Sequence, residues 1–333
     1  MADFGQLVDI CRNHRVFIQT HNFPDPDAIS SAFALHELMG KLGVETRICC
    51  DGQIDRVSTA KLSEMTGVKI YQADELSDIM NSEDYIICVD SQKWAGNITD
   101  FIGDEIACID HHPTFKEIEY KFKQVEMVGA CATLMTEHFR AMEIQPSKLA
   151  ATALLYGIKM DTMHFTRGVT ERDIEAFYYL FPLVDRDALH RLETNNLVYD
   201  DLKAYGTAIR NIHFYNSVAF SKIPFACPDG LIASLSDFML SVEEVDVVII
   251  YAIRQNGIKL SVRSMLPEVN SGVLTSETLK GIGNGGGHAF MAGGFIPMEN
   301  VPSIEDGKLE AFIETLFLEK MAVITTKRCP PLL

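Results

Sequence analysis

Apolar runs of strand length alternate with helical patterns through the first half of the chain. "RVFIQTH" (15–21), "ETRICCD" (45–51), "DYIICVD" (84–90) and "EIACID" (105–110) read as strands. "DAISSAFALHELMGKLG" (27–43), "GACATLMTEHFRAM" (129–142) and "SKLAATALLYGIKMD" (147–161) read as helices, with Gly43 near the end of the first. "TERDIEAFYYLFPLV" (170–184) predicts another helix, capped by Thr170 with Asp173 in a box-like position. Buried strands separated by helices predict a parallel sheet covered on both faces. In such sheets functional residues gather beyond the carboxyl ends of the strands.

A long polar stretch over 185–212 is predicted as helical and connects to the second half. There "SVAFSKIP", "VDVVIIYAI" and "GIKLSVRS" are strand candidates, and "GIGNGGGHAFMAGG" (281–294) is rich in glycine. The fold class expected is α/β in two domains. Residues 1–190 form the larger domain with the parallel sheet, 191–212 a helical linker, and 213–333 a smaller domain with a mixed sheet, the two facing each other across a cleft. Methionine and phenylalanine positions at helical spacing are assigned to the core.

A length of 333 residues agrees with two domains, and 47% hydrophobic with 23% charged residues describes an ordinary globular chain. The eight cysteines are scattered without a CxxC pair, which predicts reduced thiols in a cytoplasmic protein. No signal peptide and no apolar run near the roughly 20 residues of a membrane span is evident. The formal net charge is −17, from 46 acids and 29 bases. Tracking of long nucleic acid by backbone charge is therefore not expected, since it calls for a basic face.

Four segments then change the picture. "HNFPDPDA" supplies His21, Asp25 and Asp27 just after a strand, and Asp90 ends "YIICVD". Asp110, His111 and His112 end "EIACID", and Asp161 lies where a helix runs into a loop. Taken singly, each has an ordinary explanation as a helix cap, a turn or a loop pair. Capping does not explain the recurrence at ends that a parallel sheet would bring to one rim. Imidazole and carboxylate together suit divalent manganese, zinc or iron, and the number of donors exceeds what one cation needs.

The ordered set HxxxDxD, VD, DHH and GxxxDT resembles the DHH phosphoesterase family. "SVRS" (261–264) and "GNGGGHAFMAGG" resemble the DHH-associated C-terminal domain, so the likeness spans nearly the whole chain, most like NrnA-type oligoribonuclease/pAp phosphatases. The resemblance implies two divalent metal ions, most simply Mn2+. His21 and Asp25 would hold one, Asp27 and His111 the other, with Asp90 bridging and Asp161 completing the site. Such a pair activates a water and stabilises charge on phosphoryl oxygens. Asp110 and His112 would orient ligands or meet the leaving oxygen. Arg263, Gly285, Gly286, Gly287 and His288 would grip a substrate phosphate through a guanidinium fork, close backbone N–H groups and an imidazole. One departure stands out: GGGH is followed by Ala289-Phe290-Met291 where the family often has proline.

The activity expected is metal-dependent hydrolysis of short nucleotides: nanoRNA, linear dinucleotides such as pApA, or the 3′-phosphate of pAp. Alternatives are a cyclic-dinucleotide phosphodiesterase, an exopolyphosphatase, and, from another class, a non-catalytic nucleotide-binding regulator. Partners expected are short nucleotides, with no long nucleic acid and no membrane, and a homodimer is compatible with the sequence.

Overall fold

The computed structural model describes residues 3–328 apart from 53, 55–56, 115, 195, 303–304 and 306. They divide into two compact units after Asn196. Cys329, one of the eight cysteines, lies outside the described residues; the other seven are free and buried, as expected of core thiols.

The first unit runs α1 (Phe4–Cys11), β1 (Val16–Gln19), α2 (Pro26–Lys41), β2 (Thr46–Cys49), α3 (Val57–Thr66), β3 (Ile70–Tyr71) and α4 (Ala73–Ile79). It continues with β4 (Tyr85–Val89), β5 (Asp104–Asp110), β6 (Phe122–Val125), α5 (Cys131–Ala141), α6 (Lys148–Asp161), α7 (Glu171–Leu180) and α8 (Arg186–Glu193). All six strands are parallel, in the order β3-β2-β1-β4-β5-β6. Alternate residues feed opposite faces. Ile18 and Ile87 pack with Leu35 and Leu38 of α2 and Leu134 of α5, while Phe17, Ile86 and Cys88 pack against Leu76 of α4. Burial on both faces is why these strands read as unbroken apolar runs. β2 and β3 lie on one side of β1, and β4 to β6 on the other. Chain order thus reverses between β1 and β4, the place where open α/β sheets leave a crevice.

The second unit contains α9 (Asp201–Arg210), β7 (Ile212–Tyr215), β8 (Val218–Ile223), α10 (Asp229–Leu240), β9 (Val247–Arg254), β10 (Gly257–Ser264), α11 (Ser271–Leu279), β11 (Asn284–Gly287), β12 (Met291–Pro297) and α12 (Lys308–Arg328). Its sheet is mixed, in the order β11-β12-β10-β9-β8-β7, with β8 and β9 parallel and the other pairs antiparallel. Phe220, Ile249 and Leu260 pack with Leu274 of α11 and Phe317 of α12; Ala219, Val248 and Ile250 pack with Ala208 of α9 and Leu235 of α10.

One expectation is corrected. Residues 185–212 are not one helix: α8 stops before Thr194, whose backbone is extended, and α9 starts again at Asp201. Asn and β-branched residues in "TNNLVY" have low helix propensity, which explains the break. The glycine run forms the edge strand β11, with Gly285 paired to Gly294 and Gly286 to Gly293. Hydropathy alternation cannot reveal a strand in which three of four residues are glycine. Of the described helices none is long and apolar enough to cross a membrane.

Candidate metal centre

The stretch with two prolines is a helix entrance. Asp25 caps α2, its Oδ1 accepting the N–H groups of Asp27 at 2.9 Å and Ala28 at 3.1 Å. Pro26 is the first helical residue, where a missing N–H is no loss. Asp27 follows, buried, and its carboxylate accepts the Cys131 N–H at 2.6 Å and the Ala132 N–H at 2.9 Å. The residue at the start of α5, Ala130, provides no side-chain cap, so Asp27 caps that helix from across the core. Gly157 sets the crossing of α2 and α6: a Cβ there would lie 2.2 Å from Ser30 Oγ. α6 then ends at Asp161.

The other donors follow the sheet. His21 lies two residues beyond β1, Asp90 one beyond β4, and His111 and His112 directly follow β5. Asp90 has φ +56°, a left-handed conformation that aspartate tolerates better than bulkier residues. His111 Nε2 lies 3.3 Å from Asp90 Oδ1, 3.3 Å from Asp161 Oδ2 and 3.8 Å from Asp27 Oδ2. Its Nδ1 contacts the Val128 carbonyl at 3.0 Å. That carbonyl can only accept, so Nδ1 carries a proton and a neutral ring turns its Nε2 lone pair toward the carboxylates. His21 Nε2 lies 3.7 Å from the other Asp90 oxygen.

Three overlapping donor groups result, each with ligand atoms within 4.8 Å of one another: His21–Asp25–Asp90, Asp27–His111–Asp161 and Asp90–His111–His112. Asp90 is shared between the first and the third. Its buried Oδ1 has no hydrogen-bond partner while His111 is neutral, and a protonated His111 ring, 3.3 Å away, would donate to it. An acceptor so placed is costly to bury unless a cation answers it, so the residues present fit divalent metal ions.

The electrostatics agree. Burial, then the charge of Asp90, pushes the Asp27 carboxyl well above the ordinary carboxylate range. Burial also lifts Asp161 to about 6, with Asp25 and Asp90 adding and His111 opposing. Burial acts to lower the His111 imidazole, but contact with Asp90 and the charges of Asp90, Asp27 and Asp161 outweigh it and raise it well above normal. Carboxylates crowded in a buried place hold protons unless other positive charge is present.

Asp110 is placed differently. Its Oδ1 accepts the His111 N–H at 2.9 Å and contacts His112 Nδ1 at 2.8 Å, while Oδ2 accepts from Gln92 Nε2 at 2.7 Å. Burial pushes its carboxyl up, but His112 and Gln92 outweigh that and hold it below the ordinary range. Gln92, Gly157 and the Val128 carbonyl carry no sequence signal of this role; only the three-dimensional contacts reveal them.

The structure thus brings His21, Asp25, Asp27, Asp90, His111, His112 and Asp161 into one cluster in the first unit. The remaining expected residues belong to the second unit. Arg263 is buried on β10, its Nε donating to Asp237 and its Nη1 to Ser261 Oγ and the Val262 carbonyl. Gly285 faces α11, where a Cβ would lie 2.6 Å from Thr275 Cγ2, whereas nothing lies within 4 Å of a Cβ on Gly286. Gly287, at φ +151°, approaches the Met291 carbonyl, and His288 donates its N–H to the same carbonyl at 2.8 Å.

Residues 15–158 match the DHH family N-terminal domain and residues 216–316 the DHHA1 domain. The chain thus carries a DHH family N-terminal domain followed by a DHHA1 domain. It is 27% identical over 293 residues to an uncharacterised protein of Methanocaldococcus jannaschii, covering 87% of this chain and 60% of that one. It is 26% identical over 301 residues to the cyclic-di-AMP phosphodiesterase GdpP of Bacillus subtilis, covering 84% of this chain and 44% of that one. The DHH chain therefore spans 60% or less of the length of these curated relatives. In fold it is similar to an exopolyphosphatase-related protein from Bacteroides fragilis, with a TM-score of 0.80 at 20% identity over 97% of this chain and 96% of that one. A manganese-bound RecJ exonuclease matches at a TM-score of 0.52 and 13% identity over 96% and 95% of the two chains.

Proposed function

We propose that this protein is a metal-dependent phosphoesterase acting on short nucleotides: nanoRNA, linear dinucleotides such as pApA, or the 3′-phosphate of pAp. The observation that carries the reading is the convergence of His111 Nε2 and the buried Asp90 Oδ1, 3.3 Å apart and faced by Asp161 at the same distance from the imidazole. His21 and Asp25 would hold one divalent ion and Asp27 and His111 a second, with Asp90 and Asp161 as further ligands. Manganese is the favoured ion, because mixed imidazole and carboxylate donors suit it and a protein described as a probable manganese-dependent inorganic pyrophosphatase is among the relatives. When bound, such ions supply Lewis acidity toward the phosphoryl oxygens and a nucleophile from water.

The chain's own residues do the rest. Val128 fixes the His111 tautomer, and Asp110 holds His112 by Nδ1 so that its Nε2 can give a proton to the leaving oxygen. Arg263, Gly285, Gly286, Gly287 and His288 bind the substrate. Gly286 is the sharpest of these, because its lack of a side chain serves no packing need.

A second reading is cyclic-dinucleotide hydrolysis, favoured by the match to GdpP over 84% of this chain. Initial rates with Mn2+ on pAp, pApA, a five-nucleotide RNA, cyclic di-AMP and pyrophosphate in parallel decide between them. Faster cleavage of pApA, pAp or the RNA supports the first reading, and preference for cyclic di-AMP the second. Hydrolysis undiminished by a strong chelator overturns both, and binding without hydrolysis leaves a nucleotide-binding regulator.

A further inference from the structure

Trp94 is the only tryptophan in the chain. It is 52% exposed and holds a left-handed backbone with φ +63°. A large side chain in that conformation is a conformational cost that glycine or asparagine would avoid. With half of the residue exposed, burial offsets that cost only in part. Strain of this kind at an exposed residue points to use.

Its surroundings say which use. Trp94 lies four residues beyond Asp90, so its Cα is within about 14 Å of that residue along the chain. The intervening loop is anchored: Gln92 donates to Asp110, the Lys93 N–H donates to Tyr120 Oη, and Ser91 Oγ contacts Asn97 Oδ1. Farther on, the same loop is joined to the His21 loop. The Asn22 N–H donates to the Asn97 carbonyl, and Asn22 and Thr99 exchange two further hydrogen bonds. The indole N–H reaches Asp100 at 3.3 Å. Lys116 Nζ lies 3.8 Å from the ring centroid and Lys93 Nζ 5.2 Å. Cations that close engage the π system of the ring, and about half of the residue's surface remains exposed to a planar partner.

We infer that Trp94, flanked by Lys116 and Lys93, is a stacking platform for the nucleobase of a bound nucleotide, on a rigid loop adjoining the candidate metal centre. The inference deepens the proposed function and rests on it for the substrate class. Aromatic stacking tolerates any base.

The emission of Trp94 has a single source, so it reports the platform directly. AMP and ribose 5-phosphate carry the same phosphate and differ in the base. With Mg2+ present, AMP is expected to quench the emission of the full chain saturably, and ribose 5-phosphate is not. Trp94→Ala is expected to raise KM for pApA roughly tenfold, more than it lowers kcat, and Trp94→Phe to recover most of the loss. Circular dichroism checks that both variants fold. No quenching by AMP, or equal quenching by both compounds, overturns the platform. So does an unchanged KM in Trp94→Ala; in that case hydrolysis of pApA by the wild type would leave the proposed function standing. Saturable quenching by AMP without hydrolysis of any nucleotide would keep the platform and overturn the proposed reaction.

Discussion

Asp27 on α2 accepts the backbone N–H of Cys131 at 2.6 Å, in the first turn of α5. One carboxylate therefore caps a distant helix and faces His111. Asp27→Ala should lower unfolding free energy by about 2 kcal/mol in urea titrations, even with a chelator present. Asp161→Asn should change chelated stability by less, because no helix depends on that carboxylate. Equal losses for the two variants would remove the capping role of Asp27.

Asp90 separates the cost of the site from its use. Asp90→Ala should abolish Mn2+-dependent turnover and the Mn2+-induced rise in melting temperature. For the wild type that rise corresponds to about 2.7 kcal/mol at a hundredfold excess over Kd. In chelator the variant should be as stable as the wild type or more so, since a buried oxygen that lacks a partner beside a neutral His111 is gone. Differential scanning fluorimetry with and without Mn2+ gives both answers, and a retained Mn2+ shift in Asp90→Ala would contradict the shared-ligand arrangement.

His138 makes folding sensitive to acid. Its ring is buried beside Phe4, centroids 4.5 Å apart, and neither nitrogen has a hydrogen-bond partner. Burial pushes the imidazole from 6.5 down to about 4. The unfolded chain takes up the proton first, so stability is intact above about pH 6.5 and falls as pH drops from there toward 4. The full loss is about 3 kcal/mol at 1.36 kcal/mol per pH unit. His138→Phe should flatten the urea midpoint between pH 6.5 and 4.5, and an unchanged slope would place the acid sensitivity elsewhere.

The glycine strand predicts a contrast. Gly285→Ala drives a Cβ against Thr275 and Leu279 and should destabilise the protein by about 1–3 kcal/mol. Gly286→Ala meets nothing and should leave the melting temperature within a degree or two while weakening nucleotide binding. Calorimetric titration with AMP and thermal melts on both variants check the pair, and unaltered binding in Gly286→Ala would withdraw that residue from the substrate surface.

Much of the first unit was legible because its strands are buried on both faces and end in acids or histidines. "DYIICVD" and "EIACID" show both features at once. The DHH motif and the acids of α2 were visible as chemistry; their spatial meaning came from resemblance. β3, with two residues, is too short to leave a pattern, and β11 has three glycines after Asn284 and so nothing to alternate. Arg263 read as a phosphate fork, yet burial and Asp237 already occupy part of its guanidinium. Sequence shows residue type and spacing, but not which neighbour has taken a donor first.

The capping of α5 by Asp27 has a practical side. Backbone N–H groups at a helix start answer part of that carboxylate's charge whether or not ions are present. The stripped protein should therefore survive dialysis in its native shape and accept manganese, zinc, iron or magnesium in turn. Comparing rates across ions would then need only one preparation.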